Sequence, residues 1–345
     1  MIQEEDSPVV YARPHPRLLT WWKDDPTDPD RPSLHNPAVQ RLIAAIAPET
    51  HGTDLGGVMS LNVHLASAGL VLRVHQPFVS RPRLLAVQDV RRHLATVGLC
   101  VPAPLPWRHA RVLRCGTRWA ELEEYLPHER LAPAPASYTW LFAAMGRLHR
   151  ALATLDLRVP RPLVATYAPP TSLRRWLLIT EAAVQNDPEA APTARHLRDL
   201  VRRLDRQWAP VPRLPRQLVH GDVRLSNVGR TATGTAVYLD FGFLAIRPRI
   251  HDLAYALAFM LRALNAPHAW AWSSVGPLLC AYEEAVQSPL TEAERAALAP
   301  STAAIPLYHA ALAGCTADPA RELRIQRPFL HLSEWLLAQP STLWG

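Results

Sequence analysis

The sequence predicts an α+β chain in two unequal parts, a small antiparallel sheet followed by a larger helical body. Three observations predict it. Short apolar runs broken by turn residues fill the stretch from Gly56 to Tyr125, and helical periodicity dominates from about residue 138 onward. The segment 216 to 242 interrupts the helical half with short strands and carries two acidic turns.

The elements follow in order. Residues 1–36 are rich in Pro, Asp and Arg without a sustained period and read as an irregular extension, its Leu18-Leu19-Thr20-Trp21-Trp22 patch packing on the rest. Pro37 opens a short helix with Val39, Leu42, Ile43 and Ile46 at helical spacing. Gly56 to His75 reads as a hairpin broken at Ser67-Ala68-Gly69 and ending in Leu70-Val71-Leu72-Arg73-Val74. A helix is expected over 83–97, a proline-stiffened loop at Cys100-Val101-Pro102-Ala103-Pro104, and strands over 110–114 and 118–125. Helices are then expected over 138–154, 171–185, 192–207, 251–264, 273–287, 291–299 and onward to 338. The join near residue 126 leaves room for a cleft.

Composition narrows the class. A chain of 345 residues with 48% hydrophobic and 19% charged residues can bury a sizeable core. Its 34 prolines against 14 glycines predict rigid loops and proline-terminated helices. The net charge of +7 is spread over amphipathic segments such as 195–204, which read as solvated helix faces and not as a nucleic-acid surface. Cys100, Cys115, Cys280 and Cys315 lack metal-ligand spacing and fit a reducing compartment. No apolar stretch is long enough for a membrane span, so a soluble cytoplasmic protein is expected.

The chemistry concentrates in His220-Gly221-Asp222-Val223-Arg224-Leu225-Ser226-Asn227 and in Tyr238-Leu239-Asp240-Phe241-Gly242. Two carboxylates and a carboxamide on short turns suit phosphoryl transfer. Asp222 can orient a hydroxyl and take its proton, while Asn227 and Asp240 offer hard oxygen ligands for Mg²⁺. Gly221 permits the sharp turn. An Asp-Phe-Gly triplet by itself is an ordinary turn; the pairing of the two motifs is what carries the reading. His149 and the remaining histidines read as core or surface residues.

These motifs, with Asp252-Leu253-Ala254 downstream, resemble those of the aminoglycoside phosphotransferase and choline kinase group over roughly residues 45 to 265. The resemblance implies a bilobal protein-kinase-like fold: an extension at 1–36, a nucleotide-binding lobe of sheet and helix over 37–125, and a helical lobe over 126–345 with the catalytic and metal-binding loops. It implies ATP, or GTP, as phosphoryl donor. His220 then holds the loop, Asp252 caps the helix beginning at Leu253 and braces the loop, and Arg224 steadies the transferred phosphoryl group. The backbone carbonyl of Glu123 and N–H of Tyr125 meet the adenine edge. Gly56 to Asn62 is the phosphate-covering loop, in which Ser60 or Asn62 touches phosphate or merely forms the turn.

Two departures stand out. The family's strand lysine is missing, since Lys23, the only lysine, lies outside the matching region; Arg73 is its stand-in. The following helix offers Val87-Gln88-Asp89 where a glutamate should pair with that cation, and Gln88 can accept only a neutral hydrogen bond. The reading is a small-molecule kinase acting on a hydroxyl; the alternatives are a pseudokinase scaffold and a bacterial protein kinase of the same group. Glu283 and Glu284, with Tyr282, Trp270 and Trp272, could line an anionic pocket for a cationic acceptor, although helix packing explains them as well.

Overall fold

The computed structural model describes residues 31–57, 59–162, 166–208, 213–265 and 272–339. The Leu18–Trp22 patch, Lys23 and Trp270 lie outside the described residues.

Helix α1 (Pro37–Ile46) starts where Asn36 accepts the N–H of Ala38 and Pro37 fixes the first turn. It buries Val39 and Ile43 against one face of an antiparallel sheet. That sheet contains β1 (Thr53–Asp54), β2 (Leu61–Leu65), β3 (Leu70–Val74), β4 (Pro104–Leu105), β5 (Leu113–Cys115) and β6 (Arg118–Glu124). Its order is β1-β2-β3-β6-β4, with β5 paired to β6. Gly69, at φ +63°, makes the β2–β3 turn. The register sets Arg73 opposite Glu121, so both side chains leave the same face.

Helix α2 (Arg81–Thr96) follows β3. Its apolar residues Val87, Val90 and Leu94 belong to the core of the helical half, not to the cluster under α1. The sheet is therefore fastened to the helical body through α2. That body comprises α3 (Pro135–Ala153), α4 (Pro170–Val184), α5 (Ala190–Gln207), α6 (Ile250–Leu264), α7 (Val275–Val286), α8 (Glu292–Ala311) and α9 (Pro319–Ala338). Two small ribbons interrupt it: β7 (Arg216–Val219) with β10 (Ala245–Pro248), and β8 (Val228–Arg230) with β9 (Ala236–Tyr238).

The helical expectations meet one correction. The helix expected over 291–299 continues to Ala311 through Pro300 and Pro306, and α9 contains Pro328. Proline removes a helix hydrogen bond. Here α8 is buried on almost every side and tertiary packing overrides the break. Its start is fixed by a Thr291/Glu294 capping box, and Arg249 pairs with the buried Glu294 to tie the α6 entrance to α8.

Helices α3 and α7 approach through Gly146. A Cβ there would lie 2.5 Å from the Tyr282 carbonyl and 2.8 Å from the Ala285 Cβ. Gly146→Ala is expected to lower stability by about 1–3 kcal/mol through overpacking, read from urea unfolding.

Candidate active site

The site is built on one buried carboxylate. Strand β7 ends at Val219, and the chain turns through Gly221 at φ +85°, where a Cβ would come 2.6 Å from the Phe243 carbonyl. Asp252, fully buried in the first turn of α6, accepts the N–H of His220 at 2.9 Å and of Gly221 at 2.8 Å. Its carboxylate therefore braces the turn; the capping role expected for it is not the one it takes. His149 of α3 donates Nε2–H to Asp252 at 3.0 Å and receives the Tyr282 hydroxyl on Nδ1 at 2.9 Å. Burial raises the pKa of Asp252, but the bond from His149 and the nearby imidazoles outweigh it and hold the carboxyl below its ordinary value.

His220 links the two acidic turns. Its Nε2 lies 2.8 Å from the Leu239 carbonyl and its Nδ1 is 3.3 Å from the N–H of Asp222. These partners assign the Nε2–H tautomer, with Nδ1 accepting. Burial lowers the imidazole pKa, so His220 is a neutral structural link and not a proton carrier.

Asp222 is only 2% exposed. Asn227 turns back on it, donating Nδ2–H to the Asp222 carbonyl at 2.9 Å and to Oδ2 at 2.8 Å. Arg224 Nε lies 3.1 Å from Oδ1, and the Tyr255 hydroxyl bonds to the carboxylate. Burial and then the charge of Asp240 push the Asp222 pKa up to about 7, against the lowering effects of Arg224, Asn227 and Tyr255.

Asp240 occupies the left-handed region at φ 57°, ψ 66°, which a short polar side chain tolerates. Arg73 bonds to its Oδ1. Burial raises the Asp240 pKa, but Arg73 more than offsets it. Arg83 of α2 clamps the turn from behind, donating to the carbonyls of Gly242 at 2.7 Å and Leu244 at 2.9 Å. Beside Asp240 opens a cavity of about 400 Å³, whose wall includes Ser60, Arg73, Arg83, Glu121 and Arg161.

The oxygens of Asn227 and Asp240 suit a hard divalent ion. Asn227 commits its amide nitrogen to Asp222, while its Oδ1 accepts only the Ser226 hydroxyl at 3.4 Å among the described residues. Among the described residues no cluster of three or more His, Cys, Asp or Glu can hold a metal unaided. A two-ligand site completed by phosphates and water is the arrangement Mg²⁺ adopts with a nucleotide.

A family model described as a phosphotransferase enzyme family matches residues 54–275, more than half of the chain. The chain belongs to the phosphotransferase enzyme family. The fold is shared with solved structures of low sequence identity. An amicoumacin kinase in complex with AMP-PNP, Ca²⁺ and Ami is 16% identical over 90% of this chain and 97% of its own, with a TM-score of 0.68. An aminoglycoside phosphotransferase from Alicyclobacillus acidocaldarius is 14% identical over 89% and 97%, with a TM-score of 0.64. A choline/ethanolamine kinase family protein from Mesorhizobium loti is 17% identical over 87% and 94%, with a TM-score of 0.61. A comparison with curated proteins returns no significant match.

In this phosphotransferase the predicted Asp222, Arg224, Asn227, Asp240 and Arg73 converge. One expectation is corrected. The N–H of Tyr125 donates to the Gly69 carbonyl at 3.0 Å, so it is not free for an adenine edge. Glu123 lies within β6 between β3 and β4, with its carboxylate bonded to Arg91. Ser60 is buried in the cavity wall, while Asn62 holds the loop by donating to the Gly56 carbonyl at 2.9 Å.

The charge layout around Arg73 is also reversed from the expectation. Gln88 donates to Glu121 at 2.8 Å, and Arg91 pairs with both Glu121 and Glu123. The helix supplies the cation and β6 supplies the acid. Glu121, opposite Arg73, stays ionised because Arg91, His75 and Gln88 outweigh the effect of its burial. The anionic pocket expected at Glu283 is absent from the described structure: Glu283 pairs with Arg295 at 2.5 Å, Tyr282 is buried against His149, and Trp272 packs on Trp335.

Sequence reading missed His149, Arg83 and Tyr255. For Tyr255 a signal existed, because it lies three residues after Asp252 on the same helix face.

The raised pKa of Asp222 has a testable sign. Its unfolded value is near 4, so the folded chain holds the proton more tightly. This stabilising contribution is complete below about pH 4 and is lost as pH rises to about 7, on the order of 4 kcal/mol. Asp222→Asn should match the wild type near about pH 4 and exceed its stability above about pH 7, measured by urea unfolding of both proteins across pH.

Proposed function

We propose that the protein transfers the γ-phosphoryl group of ATP to a hydroxyl of a small molecule. The observation that carries this reading is the bonding of Asn227 to Asp222, with Asp240 held beside them through His220. This bonding supports a reading of one base and two metal-ligand oxygens around one space, which is what the transfer requires.

Asp222 receives the acceptor hydroxyl as a hydrogen-bond donor. As the new oxygen–phosphorus bond forms, the bond to the β-phosphate oxygen breaks, ADP leaves, and the hydroxyl proton passes to Asp222. Its pKa of about 7 suits it to hold that proton and release it near neutrality. Arg224, partly exposed beside Asp222, steadies the moving phosphoryl group. Asn227 Oδ1 and Asp240 would hold Mg²⁺, which would offset the charge of the nucleotide phosphates. Arg73 then exchanges Asp240 for the phosphates, its charge position kept by Glu121 across the sheet.

The pseudokinase reading has one observation in its favour: the Arg73–Asp240 ion pair occupies a proposed metal ligand. Thermal unfolding with ATP or GTP, with Mg²⁺ or chelator, separates the two. A working site at about a hundredfold excess over Kd adds about 2.7 kcal/mol in the wild type and much less in Asp240→Asn. The scaffold reading stands if no nucleotide acts through Asp240. Once an acceptor is in hand, Asp222→Ala should reduce kcat by about 10²–10⁴-fold, and wild-type kcat should rise with pH through about 7.

A further inference from the structure

The surface leading away from Asp222 on the helical side is cationic and aromatic. Tyr255, bonded to Asp222, has its ring 4.9 Å from that of Phe259, and the Arg224 guanidinium lies 5.2 Å from the centre of the Phe259 ring. Phe259 continues to Phe329 at 5.8 Å and to His309 at 5.6 Å. Arg262, exposed in the last turn of α6, lies 4.9 Å over Phe329. His309 carries a buried Nε2 with no hydrogen-bond partner. Burial, then the charges of Arg262 and Arg224, lower its pKa to about 4, so the ring is neutral at physiological pH, and with its proton on Nε2 it is a donor.

His309 also walls a hollow of about 210 Å³. Arg321 contributes a further cation to it. Asp318 and Glu322 line the same hollow and keep their charge, Asp318 accepting the backbone N–H of Arg321 at 2.9 Å and Glu322 accepting from Gln326 at 2.7 Å, so the cationic stretch is the one around Phe259 and not the hollow itself. The Arg224 and Arg262 guanidinium groups on the Phe259 and Phe329 rings, with the unpartnered Nε2 of His309 between them, favour an organic anion over an ammonium group.

We propose that the phosphoryl acceptor is a hydroxyl-bearing organic anion, its acidic group met by Arg262 and His309 while its apolar body lies on Phe259 and its hydroxyl reaches Asp222. This assignment rests on the kinase reading, and it replaces the cationic acceptor that Glu283 and Glu284 suggested.

The test uses pairs matched in size and opposite in charge: 4-(hydroxymethyl)benzoate against 4-(hydroxymethyl)benzylamine, and 4-hydroxybutyrate against 4-aminobutan-1-ol. Binding by titration calorimetry and ADP release with Mg·ATP are measured on the full chain. The anions should bind about tenfold tighter than their amine counterparts and be the ones that release ADP. Arg262→Ala, an exposed change that leaves the core intact, should erase the preference, and Arg262→Glu should invert it. Arg202→Glu, an equal charge change on exposed α5, should leave it untouched.

Equal or better binding of the amines, no binding of either anion, or a preference indifferent to Arg262 overturns the proposal. Nucleotide stabilisation through Asp240 decides the kinase reading separately. If it is present while the anion preference fails, only this inference falls; if it is absent while the preference holds, the surface binds anions and its acceptor role is rejected.

Discussion

The Asp252 carboxylate is the constraint on which the site depends. It is fully buried, yet it gathers two backbone N–H groups from the catalytic turn and one imidazole from α3. An ionised group in such a place is tolerable only when several donors are aimed at it. The donors belong to two elements, the turn after β7 and helix α3, and the carboxylate to a third, so satisfying one charge fixes β7, α3 and α6 relative to each other. His149 and His220 then extend this order outward, one to Tyr282 and the other to the Asp240 turn.

The sheet side has a second network of the same kind with its polarity exchanged. Arg73 faces Glu121 across β3 and β6, and Glu121 is held by Gln88 and Arg91 of α2. Arg83, from the same helix, grips the carbonyls after Asp240. Helix α2 thus holds both the acid that faces the proposed phosphate-binding cation and the turn that the proposed metal needs. Its apolar face is meanwhile buried with the helical body. The missing lysine and glutamate are replaced by a set of residues that works as one unit, which is why reading Arg73 and Gln88 as single substitutions misjudges them.

What the sequence made legible was local. The Asp222–Asn227 and Asp240 turns stand out because their residue types and spacings are chemically unusual, and the hairpin, α1 and most of the helical body follow from periodicity and turn residues. What it concealed depends on pairing across distance. Nothing near Glu121 in sequence announces Arg91, thirty residues earlier, as its partner. The occupied N–H of Tyr125 follows from β-sheet register, which the residue types alone do not specify. Glu283 and Glu284 looked like a pocket because adjacency in sequence was taken for convergence in space; Glu283 instead secures the loop into α8 through Leu290 and Arg295. The helix expected to stop at 299 runs on through Pro300 because packing overrides the break.

Helix α6 carries Asp252, Tyr255, Phe259 and Arg262 at intervals of three and four residues, a single stripe along one face. The first two positions serve the buried brace and the base, and the last two lie about one and two turns farther along the axis. On the proposed reading, chemistry and selectivity share one helix but occupy separate lengths of it. A lineage could exchange the outer pair and acquire a new acceptor while the inner pair keeps its place, so specificity can drift without the catalytic geometry being rebuilt.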